Sequence, residues 1–232
     1  MSPVRFFIIV LLVWVATSAH AQDGAWEILF DGTDVSAWRG YGLDSFPERG
    51  WHVDGGELVV EYSGTEEDGF GGDLITRDTY RDFELALEYK LSDTANSGIF
   101  YLVQERPGVP IWHNAPEYQL LDDATYRRTM PELTDAQLTG ANYGLHARAV
   151  DCARPVGEWN AARIVKRGRE VAHYLNDSLV VAYTLGDADW RRRYAASKFA
   201  EYPGYAAAEE GHLGLQDHGH RVAFRRVRVR RL

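Results

Sequence analysis

The chain has 232 residues, 45% of them apolar and 25% charged, the proportions of a globular protein, which excludes a largely disordered or fibrous chain. A net charge of -9 argues against a partner that presents a phosphate backbone, nucleic acid above all. The single cysteine, Cys152, excludes an intrachain disulfide, and its polar setting beside Asp151 and Arg154 assigns it no chemistry.

Residues 1–21 read as a secretory signal. Arg5 supplies the positive start, Phe6 to Val15 the apolar stretch, and Ala19-His20-Ala21 a small-residue cleavage site. The apolar run is short of the ~20 residues of a spanning helix. No lipobox cysteine follows. The expectation is a single domain over residues 22–232, periplasmic or secreted from a bacterium, with no membrane attachment after cleavage.

The mature chain reads as strands. Gly55-Gly56 separates Trp51 to Val53 from Leu58 to Val60, a hairpin signal. Phe83 to Leu91 alternates apolar and mostly polar positions, which predicts a half-buried strand. Ile99 to Val103 is continuously apolar and suits a strand buried on both faces. Tyr118 to Leu121, Trp159 to Val165, Val171 to Leu175, Leu179 to Tyr183 and His212 to Gln216 extend the series. Asn176-Asp177 forms a tight turn between two of them. The polar stretch Asp123 to Asn142 is an excursion from the sheet, and one helix is expected at Asp187 to Lys198. Short strands with frequent turns predict an all-β sandwich of two antiparallel sheets.

The C-terminal segment carries Arg221, Arg225, Arg226, Arg228, Arg230 and Arg231. In an acidic chain it reads as a strand with solvated arginines. Its parity changes: Val222 and Phe224 share one face, Val227 and Val229 the other. A bulge near Arg225-Arg226 would restore a single buried face; otherwise the strand changes sides.

No phosphate loop, dinucleotide fingerprint, zinc-protease helix, C-x-x-C pair or nucleophile elbow is present in the sequence. Glu84 and Glu88 share a strand face, but four residues at ~3.3 Å each separate them by ~13 Å. Glycosidase pairs need ~5–5.5 Å or ~6.5–9.5 Å, so these two read as a solvated face. In an extended strand Glu117, Gln119 and Leu121 point one way, and Tyr118, Leu120 and Asp122 the other. Glu117 and Gln119 form a polar site if their face is concave, and nothing if it is outer surface. Gln216 and His218 repeat the pattern. His173 shares parity with Val171 and Leu175; it is either a core residue or, in an open site, a base or metal ligand.

Several segments together resemble the 3-keto-glucoside 1,2-lyase / 3-keto-2-hydroxyglucal hydratase family, also described as 3-keto-disaccharide hydrolases. They are Leu29-Phe30-Asp31-Gly32-Thr33 with Trp38, Trp51 through Leu58, Gly72-Asp73-Leu74-Ile75-Thr76 and Tyr80 through Leu85. Asn96-Ser97-Gly98-Ile99, Pro116 through Asp122 and Gly157-Glu158-Trp159-Asn160 follow. The last are His173-Tyr174-Leu175-Asn176, Ser197-Lys198-Phe199 and Gly214 through Gly219, leading to Phe224-Arg225. They fall in order across nearly the whole mature chain. Two segments depart from the family pattern. Asp177 and Tyr174 stand where it usually has Gly and Trp, and Arg226-Val227 replaces Asn-Ile. Asp tolerates the left-handed backbone better than most residues.

The resemblance implies a concanavalin A-like jelly-roll sandwich and a substrate already oxidised at C3, supplied by a sugar 3-dehydrogenase. A C3 ketone acidifies the C2 proton; a base removes it, the C1 aglycone leaves, and water adds to the resulting 2-hydroxyglucal. On this reading Glu117 or His173 is the base. Asn96, Gln119, Gln216 and His218 hold the sugar or the enolate oxygen, Lys198 adds a positive charge, and Asp73 and Asp122 bind hydroxyls, although Asp122 faces away from Glu117. The resemblance fixes no cofactor; a divalent metal with His, Glu or Asp ligands would serve to stabilise the enolate. The alternatives are a noncatalytic lectin-like carbohydrate-binding module and a conventional glycoside hydrolase.

Overall fold

A computed structural model describes residues 24–64 and 69–232; the expected signal segment lies outside them. Thirteen strands occur among the described residues. β1 (Glu27–Phe30), β2 (Trp38–Gly40), β3 (Trp51–Asp54), β4 (Glu57–Val60) and β5 (Leu74–Thr76) precede the long β6 (Phe83–Leu91) and β7 (Asn96–Val103). β8 (Glu117–Leu121), β9 (Trp159–Arg167), β10 (Glu170–Leu175), β11 (Ser178–Thr184), β12 (His212–Leu215) and β13 (Val222–Arg231) complete the set. The larger sheet runs β11-β10-β9-β6-β13-β4-β3 with β1 also paired to β13, and the smaller runs β2-β5-β12-β7-β8. All strand pairings are antiparallel.

The alternating strand predicted over Phe83 to Leu91 is β6, with Phe83, Leu85, Leu87, Tyr89 and Leu91 buried. The parity change in the arginine segment is resolved by a bulge. The register of β13 against β6 shifts between Arg225 and Arg228, and Arg226 takes a left-handed φ of 54°. Val222, Phe224, Val227 and Val229 are therefore all buried in one core. The turn Asn176-Asp177 has both residues left-handed, at φ 47° and 66°, so Asp177 takes the backbone a glycine would otherwise supply.

The two sheets enclose the main core, to which the larger contributes Leu85, Leu87, Ile164, Val171 and Leu175 and the smaller Ile99, Tyr101, Tyr118, Leu120 and Leu215. Ile75, Phe100, Val103, Ile111 and Ala115 form a second apolar cluster. Ile75 and Phe100 alternate with core residues along their strands, which places this cluster on the outer face of the smaller sheet.

The reading of Glu84 and Glu88 as a solvated face is corrected. Glu84 is 7% exposed and pairs with Arg163 at 3.2 Å and with Arg230. Glu88 pairs with Arg225 at 2.6 Å and Arg226 at 2.8 Å. Arg225, Arg226 and Arg230 are thus the cross-strand partners of the β6 carboxylates, while Arg221, Arg226, Arg228 and Arg231 keep exposed side chains. The excursion after β8 opens with a short helix that polar composition conceals, α1 (Asp123–Thr129), which buries no side chain. The expected second helix, α2 (Ala188–Ala195), is shorter than predicted. It starts where Asp187 accepts from the Trp190 backbone N–H at 2.7 Å, and a separate 3₁₀ turn spans Lys198–Glu201.

Candidate functional site

A polar cavity of about 230 Å³ opens on the outer face of the smaller sheet. Strand alternation builds its floor. Tyr118 and Leu120 of β8 fill the main core, so Glu117 and Gln119 project the opposite way. β7 pairs with β8 in the register Gly98↔Gln119 and Phe100↔Glu117, which brings Asn96 and Gly98 to the same face. Gln216 and His218 follow β12, and Asp73 precedes β5. Three covering segments complete the rim with Trp112 of a 3₁₀ turn, Tyr143, and Lys198.

Glu117 is the buried acid of this cavity. Gly98 makes its room, since a Cβ there would lie 2.2 Å from Glu117 Oε1. Burial pushes the Glu117 carboxyl up to about 8; Lys198 pulls it down and the Asp73 charge pushes it further up. The amide nitrogen of Gln119, in the orientation its neighbours require, donates to Glu117 Oε1 at 2.8 Å and to the Ser97 carbonyl at 3.2 Å. The other end of that amide meets Asn96 at 3.1 Å, and the Asn96 amide lies 3.1 Å from His218 Nε2.

Lys198 is held over three rings, 4.5 Å from the centroid of Trp112, 4.9 Å from Tyr143 and 5.5 Å from Phe199. Gln216 is 8% exposed, and its Oε1 has no partner among the described residues; it is an acceptor suited to a hydroxyl of a bound molecule. The floor is anchored by Asp217. It accepts from the Gly71 and Gly219 N–H groups at 3.0 and 3.1 Å, and its own N–H donates to Asp73 Oδ1 at 3.0 Å. Among the described residues no group of three His, Cys, Asp or Glu side chains is arranged to hold a metal ion.

Of the residues singled out in the sequence, Asp73, Asn96, Glu117, Gln119, Lys198, Gln216 and His218 line this one cavity. Two do not. His173 is fully buried between the sheets, with Nδ1 donating to the Gly140 carbonyl at 3.1 Å and Nε2 accepting from the Tyr101 hydroxyl at 3.0 Å. Burial lowers its pKa to about 3. As a spent core residue it reaches no substrate, which corrects its reading as a base. Asp122 caps α1, accepting from the Thr125 N–H at 3.1 Å and from the Thr94 N–H at 3.0 Å, so it is not a hydroxyl-binding group. Sequence reasoning missed Trp112, Tyr143 and Tyr41. They lie on loops without periodicity; only the glycine inside the β7 pattern signalled a close approach.

These observations define a concanavalin A-like jelly-roll sandwich with a polar, aromatic-rimmed cleft on the outer face of its smaller sheet. Residues 25–230 match the 3-keto-α-glucoside-1,2-lyase-like domain, and the chain belongs to that family. A Bacteroides thetaiotaomicron protein named 3-keto-disaccharide hydrolase is 36% identical over 223 residues, covering 87% of this chain and 77% of the relative. A Parabacteroides distasonis crystal structure, provisionally described as a glycosyl hydrolase, superposes with a TM-score of 0.80 at 30% identity, covering 91% of this chain and 100% of the other. A Bacillus subtilis protein with a galectin-like fold shares the architecture at a TM-score of 0.53 and 14% identity, covering 90% and 96% of the two chains.

Proposed function

We propose that this protein cleaves the glycosidic bond of 3-keto-glycosides by elimination across C1–C2 followed by hydration. The observation that carries the reading is the Glu117 carboxyl, buried in a cavity of polar groups with a cation at its rim and pushed up to about 8. A general base is most effective with a pKa near the working pH. A base stronger than an ordinary carboxylate also has the greater driving force for removing a proton beside a ketone. Family membership and the name of the Bacteroides relative support the same reading. The cavity is smaller than the ~300–1,000 Å³ typical of drug-sized ligands, and suits one sugar ring against Trp112, Tyr41 and Tyr143.

In the proposed cycle Glu117 takes the C2 proton, and the C2–H electron pair forms the enolate of the C3 ketone. Lys198 and the Gln216 amide N–H face the developing oxyanion. The enolate collapses, C1=C2 forms, the C3 ketone is restored and the C1–O bond breaks. The departing oxygen takes a proton from the acid now carried by Glu117. Hydration reverses the sense: the Glu117 carboxylate takes a proton from water as its oxygen bonds to C1, and a proton returns to C2. No step here passes through a metal. An upstream sugar 3-dehydrogenase would supply the substrate, and export by the N-terminal signal would place the enzyme in the periplasm or outside the cell.

A second reading rests on Asp73, whose charge acts on Glu117 within the same cavity: two carboxyl groups could serve hydrolysis of an unoxidised glycoside. Incubating the purified protein with a 3-keto-glucoside and with its parent glucoside separates the two. Cleavage of the keto form alone is expected; cleavage of the parent alone overturns the elimination reading.

A further inference from the structure

Asn96, Gln119 and His218 all line the cavity, where the family resemblance implies that they hold the sugar or the enolate oxygen. Their geometry assigns them to one another. The amide of Gln119 touches Glu117, Ser97 and Asn96, and the amide of Asn96 touches His218. The oxygen and nitrogen of an amide occupy nearly equivalent positions, so the direction of such a chain is set by its ends.

Two fixed groups set the direction here. The Ser97 backbone carbonyl, 3.2 Å from one end of the Gln119 amide, can only accept, so that end is the NH2 group, and it also meets Glu117. The Gln119 oxygen then faces Asn96, whose NH2 must turn toward it, leaving the Asn96 oxygen toward His218 Nε2. At the far end His218 Nδ1 is buried without a partner among the described residues. A bare lone pair there leaves no buried N–H unpaired, and it puts the imidazole proton on Nε2.

We propose that His218, Asn96 and Gln119 form a one-way hydrogen-bond relay in which His218 Nε2–H donates to Asn96, Asn96 to Gln119 and Gln119 to Glu117. The three are positioning residues. The relay keeps a donor aimed at Glu117 Oε1, so it favours the carboxylate and fixes that oxygen over Gly98. Lys198 on its 3₁₀ turn and Asp73 ahead of β5 act on the same carboxyl, and Tyr41 and Tyr143 share the cavity walls. None of them belongs to the chain of amides. The relay rests on the proposed function only for its part in turnover, because its direction exists without substrate.

The test therefore uses no substrate. The full chain is labelled with ¹⁵N-histidine, and the imidazole nitrogens of His218 are followed by NMR. The neutral ring is expected to carry its proton on Nε2; a dominant Nδ1–H form overturns the relay. The carboxyl carbon of Glu117 is then titrated in Gln119→Leu, which removes the donor at the end of the relay. Losing it should move the midpoint to higher pH by about one unit, the size of one hydrogen bond to a charged group. An unmoved midpoint in the folded variant overturns the proposal, and if the variant does not fold, the wild-type tautomer decides. An inactive protein with this coupling intact would sink the catalytic reading and leave the relay standing.

Discussion

A Cβ added at Gly98 would stand 2.2 Å from Glu117 Oε1 and 2.8 Å from its Cγ and Cδ. The two residues lie on neighbouring strands of the smaller sheet, and the missing side chain of one is the seat of the other. Gly98 has no left-handed backbone requirement, so alanine is acceptable to the strand itself.

Gly98→Ala is accordingly expected to keep the fold and displace the carboxylate. A misplacement near 1 Å can cost ~10²-fold in rate, and that loss is expected in kcat, with an unchanged circular-dichroism spectrum. Full activity in this variant would show that the reacting group is not Glu117.

Glu117 itself makes two linked predictions. As the base it must be ionised, so kcat/KM should rise with pH to a midpoint of about 8, far above the ordinary 4.5 of a glutamate. Glu117→Gln should lose ~10²–10⁴-fold and the limb with it. Stability should move the opposite way. The native state holds the proton up to about 8 while the unfolded chain releases it near 4.5. Between these values the native state binds more protons, so stability falls as pH rises through the window. Melting temperatures of wild type and Glu117→Gln should diverge across it, with the wild type losing ground. Parallel curves would mean that the carboxyl is not desolvated.

His173 is predicted to behave as core. It is buried among Tyr101, Tyr118 and Tyr183, and its loss leaves a cavity and an unsatisfied Gly140 carbonyl. His173→Ala should cost ~2–5 kcal/mol of stability, measured by urea unfolding, while the folded fraction keeps its turnover. With a pKa lowered from 6.5 to about 3, the buried ring also contributes stability that fades as pH falls below 6.5, because the unfolded chain then binds the proton first. A rate loss like that of Glu117→Gln without destabilisation would return His173 to the chemistry.

Glu117 and His173 show what strand periodicity reveals and where it stops. Both parities were legible. His173 shares its face with Val171 and Leu175, and such apolar neighbours mark an inward face; the structure puts all three in the core. Glu117 shares its face with Gln119, opposite Tyr118 and Leu120, so the polar pair had to leave the core. What alternation does not contain is the cover. Trp112, Tyr143 and Lys198 come from connections far apart in the chain, and Lys198 sits among rings contributed by three of those segments. The parity change at Arg225-Arg226 was legible, but it fits a bulge or a change of sides equally, and only the register against β6 decides for the bulge. α1 was not legible, because a helix that buries nothing carries no apolar period.

Elimination and direct displacement differ at one bond. In the proposed cycle the C2–H bond breaks and Glu117 carries the proton; displacement at C1 leaves that bond untouched. Deuterium at C2 of a 3-keto-glucoside should therefore slow turnover when proton removal limits the rate. Cleavage in D₂O should place deuterium at C2 of the product, because hydration returns a proton to that carbon. The cavity is open enough to reach solvent at Lys198, which is exposed, so the acid form of Glu117 can exchange between the two half-reactions. A shielded base could return the original proton, and the C2-deuterated substrate controls for this, since its slowed cleavage reports bond breaking whatever becomes of the proton. Normal cleavage with neither a C2 isotope effect on the chemical step nor solvent deuterium at C2 would exclude Glu117 as a C2 base and leave displacement at C1.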